Sequence, residues 1–425
     1  MTITILVIVF FILLVGGVPM GIAIAGSSLA SILASGDLPG ILLPQRTFVQ
    51  LDSFSLMAVP IFILAGEVMA ASGITNRIVK LASSLIGHLR AGLAQASILA
   101  SMLMAGISGA AAADASALGS ILIPAMKEDG YDADFAVSVI ASANTIGPII
   151  PPSIMMIIYG SMTGVSIGKM FVGGVIPGIL FGLCLMILTG WLARKRNFKT
   201  HPKQSLKQIA IAFKEALAAL IMPIIIIGGI LSGQFTPTEA GVVAVVYAFI
   251  VGFANRSIKL RDIKTIFVNA AMGTTTPMFL IGIAAVFGWI LASNNLPDII
   301  GGALWGVTTD PNIFIILVWA LYIVIGCFME DTAAMIILTP VLAPIAAQYG
   351  FDPVHFGVFT VVTLLIGTIT PPVGMLLFIC SSIGKVKLSV VSKTIIPFCI
   401  TLMIIALILG LVPQTITTLV KIVFP

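Results

Sequence analysis

Asp114, Glu330 and Asp331 are carboxylates set deep in apolar sequence. A carboxylate at mid-membrane costs about 2.5–3.5 kcal/mol on insertion scales, so such residues are functional candidates first and helix-capping or protonated structural acids second. Each precedes a motif that must break a helix. Thr145-Ile146-Gly147-Pro148-Ile149-Ile150-Pro151-Pro152 has a counterpart in Leu365-Ile366-Gly367-Thr368-Ile369-Thr370-Pro371-Pro372. Proline has no N–H and clashes with the preceding turn, so a Gly-x-x-x-Pro-Pro run unwinds a helix. Unwound backbone at membrane depth survives only where it is buried in protein or lines a polar cavity. Two such breaks at matching places in two halves point to the binding site of a secondary transporter. Carbonyls freed at the breaks suit a hard cation such as Na+.

The missing charges are as informative. Residues 92–126, 135–168, 313–347 and 356–384 contain no Lys, Arg or His. An anionic substrate there would be held by helix N-termini and backbone N–H groups, with bound cations adding positive charge. Glu67 and Glu239 also lie in apolar runs but outside the two candidate sites, and they read as structural hydrogen-bonding acids.

Peptide-bond chemistry is the rival of another class. Gly106-Ile107-Ser108-Gly109 matches the GxSG pattern of rhomboid serine proteases. That chemistry needs a histidine at membrane depth to activate the serine. The three histidines are His88 and His201, in basic segments, and His355 at a predicted helix start. An aspartyl protease would pair acids such as Asp114 and Asp331, but no GxGD is present. The chain therefore does not read as an enzyme.

These residues need membrane helices to hold them. The chain has 425 residues, 59% hydrophobic and 9% charged, against about 25% charged in soluble proteins. Its apolar runs are continuous rather than alternating, which excludes a β-barrel reading. The first run begins at Thr2 without a basic flank and reads as a retained helix rather than a cleaved signal peptide. Cys184, Cys327, Cys380 and Cys399 all lie in apolar segments with no CxxC pair and read as buried thiols. The net charge of +5 resides in loops and does not suggest nucleic acid.

Arg194, Lys195, Arg196, Lys199, Lys203, Lys207 and Lys214 form a stretch without an acid, and Arg256, Lys259, Arg261 and Lys264 form a second. Both are placed on the cytoplasmic side, with the apolar hairpin at 215–254 between them. The segment around Asp298 and Asp310 lacks Lys and Arg and is placed outside. Over 74–90, Ile78, Leu81, Leu85 and Leu89 share one helical face, which predicts a helix lying at the interface. Its role reads as structural, or as an arm bracing a moving domain.

An internal repeat ties the halves together. Residues 130–177 align without a gap to 350–397, and 12 of the 48 pairs are identical. Among them are Gly130/Gly350, Asp132/Asp352, Gly147/Gly367, Pro151/Pro371, Pro152/Pro372, Gly164/Gly384 and Pro177/Pro397. Apolar bias alone does not give a shared Gly, Pro-Pro and Gly at fixed spacing. The copies are inverted only if an odd number of spans separates them. Upstream of each break lies an apolar stretch with a small or polar centre, at Ile107–Asp114 and Phe328–Thr332. Each predicts a re-entrant hairpin whose tip faces a broken helix.

Several motifs together resemble the large membrane subunit of tripartite ATP-independent periplasmic (TRAP) transporters over nearly the whole chain. They are Ile61-Phe62-Ile63-Leu64-Ala65-Gly66-Glu67, the tract Ala105-Gly106-Ile107-Ser108-Gly109 running to Asp114, Thr145–Ser153, Pro237-Thr238-Glu239-Ala240 and Ile337-Leu338-Thr339-Pro340. The resemblance implies an all-α polytopic elevator of the ion-transporter superfamily, with a scaffold, two hairpins and two broken helices. It implies Na+-driven uptake of an organic acid, sialic acid foremost and a C4-dicarboxylate next, through the bacterial inner membrane. Two or more Na+ are the only cofactor expected. The partners implied are a small four-helix membrane subunit, expected as a separate polypeptide, and a periplasmic substrate-binding protein. A stand-alone symporter or antiporter of the same superfamily is the alternative.

Carried over residue by residue, the resemblance implies one cation site between Ser108, Gly109 and Asn144, Thr145, Gly147. A second lies between Asp331, Thr332 and Thr363, Gly367, Thr370. Asp114, Pro151, Pro152, Ser153, Glu330, Pro371 and Pro372 are assigned to substrate or coupling. The Glu330–Asp331 pair departs from the single acid the family leads one to expect. The implied domains are 1–90, scaffold and arm helix; 91–168, first transport repeat; 169–312, scaffold with the basic loop 194–214 and a second arm; 313–385, second transport repeat; and 386–425, a C-terminal helix.

Overall fold

The protein is described by a computed structural model covering residues 2–36, 38–196, 198 and 200–424, all of whose regular elements are helices. Lys199 of the basic stretch lies outside the described residues. Helices α1 (Thr2–Val15) and α2 (Met20–Ser35) pack together, and α3 (Leu42–Leu51) leads to α4 (Ala58–Ala71). The chain then bends by 71° into α5 (Ile74–Ile86). This is the predicted arm helix: Ile74, Ile78 and Leu81 are buried, whereas Leu85 and Leu89 of the predicted apolar face are exposed.

Helices α6 (Gly92–Ser108) and α7 (Ala111–Glu128) form the first hairpin. Seventeen residues of α6 extend only about 25 Å, short of the hydrocarbon thickness. The turn is at Gly109, whose φ of +61° is reached cheaply only by glycine. The first broken helix follows as α8 (Ala133–Asn144) and α9 (Ile154–Thr163), with the Pro-Pro pair in the gap. Next come α10 (Ile167–Lys195), α11 (Leu206–Leu231), α12 (Pro237–Ala254) and α13 (Ile263–Ser293), each long and apolar enough to cross a membrane.

Helix α14 (Leu296–Val307) bends by 118° into α15 (Pro311–Gly326), and α16 (Asp331–Gln348) completes the second hairpin. Helices α17 (Pro353–Gly367) and α18 (Met375–Gly384) form the second broken helix. The predicted single C-terminal helix is three: α19 (Leu388–Thr394), α20 (Ile396–Leu411) and α21 (Gln414–Val423), with a 58° bend between the last two.

The crossings between the hairpins are α8–α9, α10, α11, α12 and α13. If each of these crosses once, the odd number makes the second repeat inverted relative to the first. The basic ends agree with it: α10 ends at Arg194 and Lys195, and α12 ends just before Arg256. Gly130 and Gly350, paired in the repeat, have φ of +89° and +80° and turn the chain from hairpin into broken helix in each half. Asp352 accepts from Val354 N and His355 N and caps α17. Its counterpart Asp132 instead pairs with Arg196 at 2.6 Å, and Asp134 hydrogen-bonds Thr394. His201 meets Asp129 at 2.9 Å. The basic loop is thus pinned to the turn between α7 and α8.

The helices pack in two neighbourhoods that also touch each other, α13 lying against α16 and α4 against α6. Helix α4 lies against α12 and α13, and α11 against α5 and α12. Hairpins and broken helices interlock, with α9 against α16 and α18 against both α7 and α8. Helix α10, grouped by sequence with the scaffold, packs on α6, α17, α20 and α21.

A close backbone joint lies between α15 and α17. A methyl group on Gly367 would lie 2.4 Å from the Cα and carbonyl carbon of Gly326, backbone that can yield only by moving a helix. Overpacking a tight core costs about 1–3 kcal/mol, sometimes more. Gly367→Ala is expected to lower the unfolding temperature of the purified protein. Gly302→Ala, with nothing within 4 Å of the new methyl, is expected to leave it unchanged or raise it. Scanning fluorimetry checks both, and an unchanged Gly367→Ala would refute the close joint.

Candidate functional site

The first hairpin tip meets the first break directly. A Cβ on Gly109 would sit 2.5 Å from the carbonyl oxygen of Pro152, so only a glycine lets the tip backbone approach that carbonyl. Asp114, one turn into α7, is 2% exposed and its Oδ2 has no hydrogen-bond partner. A Cβ on Gly147 would lie 3.0 Å from that same Oδ2. Asn144 is fully buried; its Oδ1 accepts from Ser101 Oγ of α6 at 3.4 Å and its Nδ2 donates to Ile140 O. Thr145 turns its hydroxyl back to Ser142 O. Ser153 caps α9, accepting from Met156 N and donating to Pro148 O across the break. The first predicted set is therefore gathered by Gly109, Asp114, Gly147 and Pro152, with Ser108 2 residues from the tip amide that donates to its Oγ.

The second set is gathered differently. Asp331 is 6% exposed and its Oδ1 accepts from Thr332 N. Glu330 Oε2 accepts from Ala333 N at 2.8 Å and caps α16. Thr332 Oγ1 reaches Met155 Sδ of the first broken helix at 3.6 Å. Thr363 and Thr370 donate to Phe359 O and Ile366 O within their own helix and break, and Gly367 meets Gly326 rather than the tip. At the second break Gly374 is crowded by the carbonyls of Thr368 and Thr370, at 3.1 and 3.2 Å from a Cβ position. Pro151–Pro152 and Pro371–Pro372 are both cis.

One cavity of about 320 Å³ joins these parts. Both tips border it, with Gly109 and Ala110 from one and Glu330, Asp331 and Thr332 from the other. The first break adds Pro148, the start of α18 adds Met375, and helices α4 and α13 add Glu67, Thr276 and Pro277. No Lys, Arg or His lines it. A neighbouring cavity of about 80 Å³ is bordered by Glu67, Ser108 and Asp114.

Glu67 is the residue that sequence reasoning placed elsewhere. It borders both cavities, and a Cβ on the adjacent Gly66 would lie 3.5 Å from Ser108 Cα. The signal was available: an uncompensated acid within an apolar helix, the same warrant that singled out Asp114. Glu239 behaves as predicted, closing a capping box with Thr236 at the start of α12. No histidine borders either cavity; His355 bonds Leu409 O.

Comparison with known proteins agrees with this architecture. Residues 7–415 match the family model for the tripartite ATP-independent periplasmic transporter, DctM component. The chain is 41% identical over 406 residues to an isethionate TRAP transporter permease protein of Oleidesulfovibrio alaskensis, covering 95% of this chain and 64% of that one. It is 37% identical over 415 residues to the 2,3-diketo-L-gulonate TRAP transporter large permease protein of Escherichia coli, covering 96% and 98%. It is 36% identical over 403 residues to the sialic acid TRAP transporter large permease protein of Vibrio cholerae, covering 95% and 94%. Its fold is shared with the crystal structure of the Alcanivorax borkumensis YdaH transporter at a TM-score of 0.64 and 15% identity, covering 85% and 87% of the two chains.

Proposed function

Since this chain belongs to the DctM-component family of tripartite ATP-independent periplasmic transporters, a multi-pass large permease for organic-acid uptake, we propose that Na+ drives it and that a periplasmic binding protein feeds it. The observation that carries the reading is a cavity bordered by both hairpin tips, by Pro148 of the first break and by Met375 at the start of α18, with acids and, among the described residues, no basic side chain. Anion transport through such a site needs bound cations. One Na+ is assigned to Ser108, Gly109, Asn144, Thr145 and Gly147, with Asp114 beside it, and a second to Asp331, Thr332 and the carbonyls near Thr363, Gly367 and Thr370. Sialic acid is the first candidate substrate and a C4-dicarboxylate the second.

The packing supports an elevator division. Helices α4, α11, α12 and α13 form a scaffold, while the hairpins, broken helices, α10 and α20 form an elevator body. Helices α5 and α14 are its arms. The chain sits in the bacterial inner membrane with its basic loops in the cytoplasm, beside a small four-helix subunit.

Among the described residues, the connections between apolar helices are short and none is large enough to capture scarce substrate. The chain's longest polar stretch is the basic one at 194–214. Capture therefore falls to a secreted partner. In liposomes holding this chain and the small subunit, free substrate and a Na+ gradient are expected to give uptake near background. The cognate binding protein restores it, and one for an unrelated ligand does not. Full uptake without any binding protein would favour the stand-alone carrier.

A further inference from the structure

The turn between α12 and α13 holds an excess of positive charge in a fixed shape. Residues 255–264 carry Arg256, Lys259, Arg261 and Lys264 against one acid, Asp262. That acid is occupied: its Oδ2 accepts from Lys259 N at 2.9 Å, and its Oδ1 lies 3.7 Å from Arg261 Nε. Among the described residues, Arg256, Lys259 and Lys264 form no ion pair. Arg256 N donates to Phe253 O at 2.9 Å and Ser257 N to Gly252 O at 3.0 Å. Ile258 is buried on Gly252, where a Cβ would lie 2.4 Å from its Cδ1. We propose that this turn binds one anionic phospholipid of the cytoplasmic leaflet, its phosphate among Arg256, Lys259 and Lys264 and its chains along α12 and α13.

Two features favour a lipid over a soluble anion or another protein. One helical turn from the cations, both helices present an apolar face. Val246, Ile250 and Phe253 of α12 recur at helical spacing and are exposed, as are Phe267 and Val268 of α13. Phe249 stacks on Phe253 at 6.0 Å and on Phe267 at 6.3 Å, joining the two faces. Leu260, 80% exposed between Lys259 and Arg261, suits the boundary between headgroups and acyl chains. Apolar faces are ordinary on membrane helices; the charge set over this one is the second feature. Basic groups at that depth attract the anionic headgroups of the inner leaflet, and arginine meets phosphate with paired N–H groups. An apolar helix of another subunit would leave these cations unanswered. Both helices pack on α4 and belong to the proposed scaffold, so the lipid holds the wall past which the body moves. Binding itself does not depend on that movement.

The test is native mass spectrometry of the complex with the small subunit, delipidated in detergent and titrated with lipid. One dioleoyl phosphatidylglycerol is expected per chain. It should bind at least about tenfold more tightly than phosphatidylcholine, or than glycerol 3-phosphate, which has the phosphate without the chains. Each basic group near an anionic surface is worth roughly fivefold in affinity. Arg256→Asn combined with Lys259→Gln is therefore expected to weaken phosphatidylglycerol binding roughly 25-fold. Asparagine tolerates the φ of +54° at position 256, so the turn keeps its shape. If this variant fails to fold, Lys264→Gln is read for its own fivefold share. Lys203→Gln combined with Lys207→Gln removes as much charge from the other basic segment and is expected to leave binding unchanged. Equal loss in the two double variants, or no preference over phosphatidylcholine, overturns the proposal. Glycerol 3-phosphate binding as tightly as the lipid overturns it in favour of a soluble anion. Lipid retained by this chain alone but not by the complex overturns it in favour of the small subunit covering the turn.

Discussion

Replacing external Na+ with choline or K+ is expected to abolish uptake into liposomes that hold the complete transporter and its binding protein. The expectation rests on the cavity: its acids repel an organic anion, and no Lys, Arg or His offsets them. Without bound cations, a negative substrate would enter a negative site of low dielectric. With two Na+ and one monoanion, the loaded body carries one net positive charge inward. Each such charge gains about 2.3 kcal/mol per 100 mV of inside-negative potential. A K+ diffusion potential, negative inside, should therefore speed Na+-dependent uptake but produce none alone. Undiminished uptake driven by a proton gradient in Na+-free buffer would defeat the reading.

The second large effect is expected from Asp114→Asn and Asp331→Asn. Both acids are buried, at 2% and 6% exposure. Asp114 Oδ2 has no protein donor and lies against Gly147 at the first break. Removing one partner of a buried charge pair costs about 3–5 kcal/mol, or at least a hundredfold in cation affinity. The amide is nearly isosteric, so expression and complex assembly should be preserved. The Na+ concentration for half-maximal uptake should move far upward, and uptake at ordinary Na+ should fall to a few per cent or less, by the same conversion. Two variants that transport at the parental rate would make these acids structural.

Much of this architecture is written locally. Gly-x-x-x-Pro-Pro breaks a helix because of proline's own ring, and the left-handed turns at Gly130 and Gly350 need glycine, so short strings of residues reveal them. The amphipathic helix at Ile74–Ile86 showed in its periodicity. Inversion rests on an odd count of crossings. What stayed hidden depends on which helix lies beside which. Glu67 was read as remote because its distance from Ser108 in the chain says nothing of the approach of Gly66 to that serine. The placement of α10 against α6, α17 and α20 is equally invisible, since a helix apolar all round does not declare its neighbours. Thr332 reaches Met155 of the other repeat, where sequence reasoning paired it within its own.

That crossing of repeats has a consequence for descent. The second half of each broken helix leans on the hairpin of the other repeat, α9 on α16 and α18 on α7. Neither repeat is a finished object, because the surface that completes it is made by its twin standing upside down. An ancestor that carried only one repeat would have had to enter the membrane both ways up and join as an antiparallel pair. Fusion then fixed the two orientations in one chain and freed the copies to diverge. The unlike acids at the two tips, one at Asp114 and two at Glu330 and Asp331, are where that freedom shows.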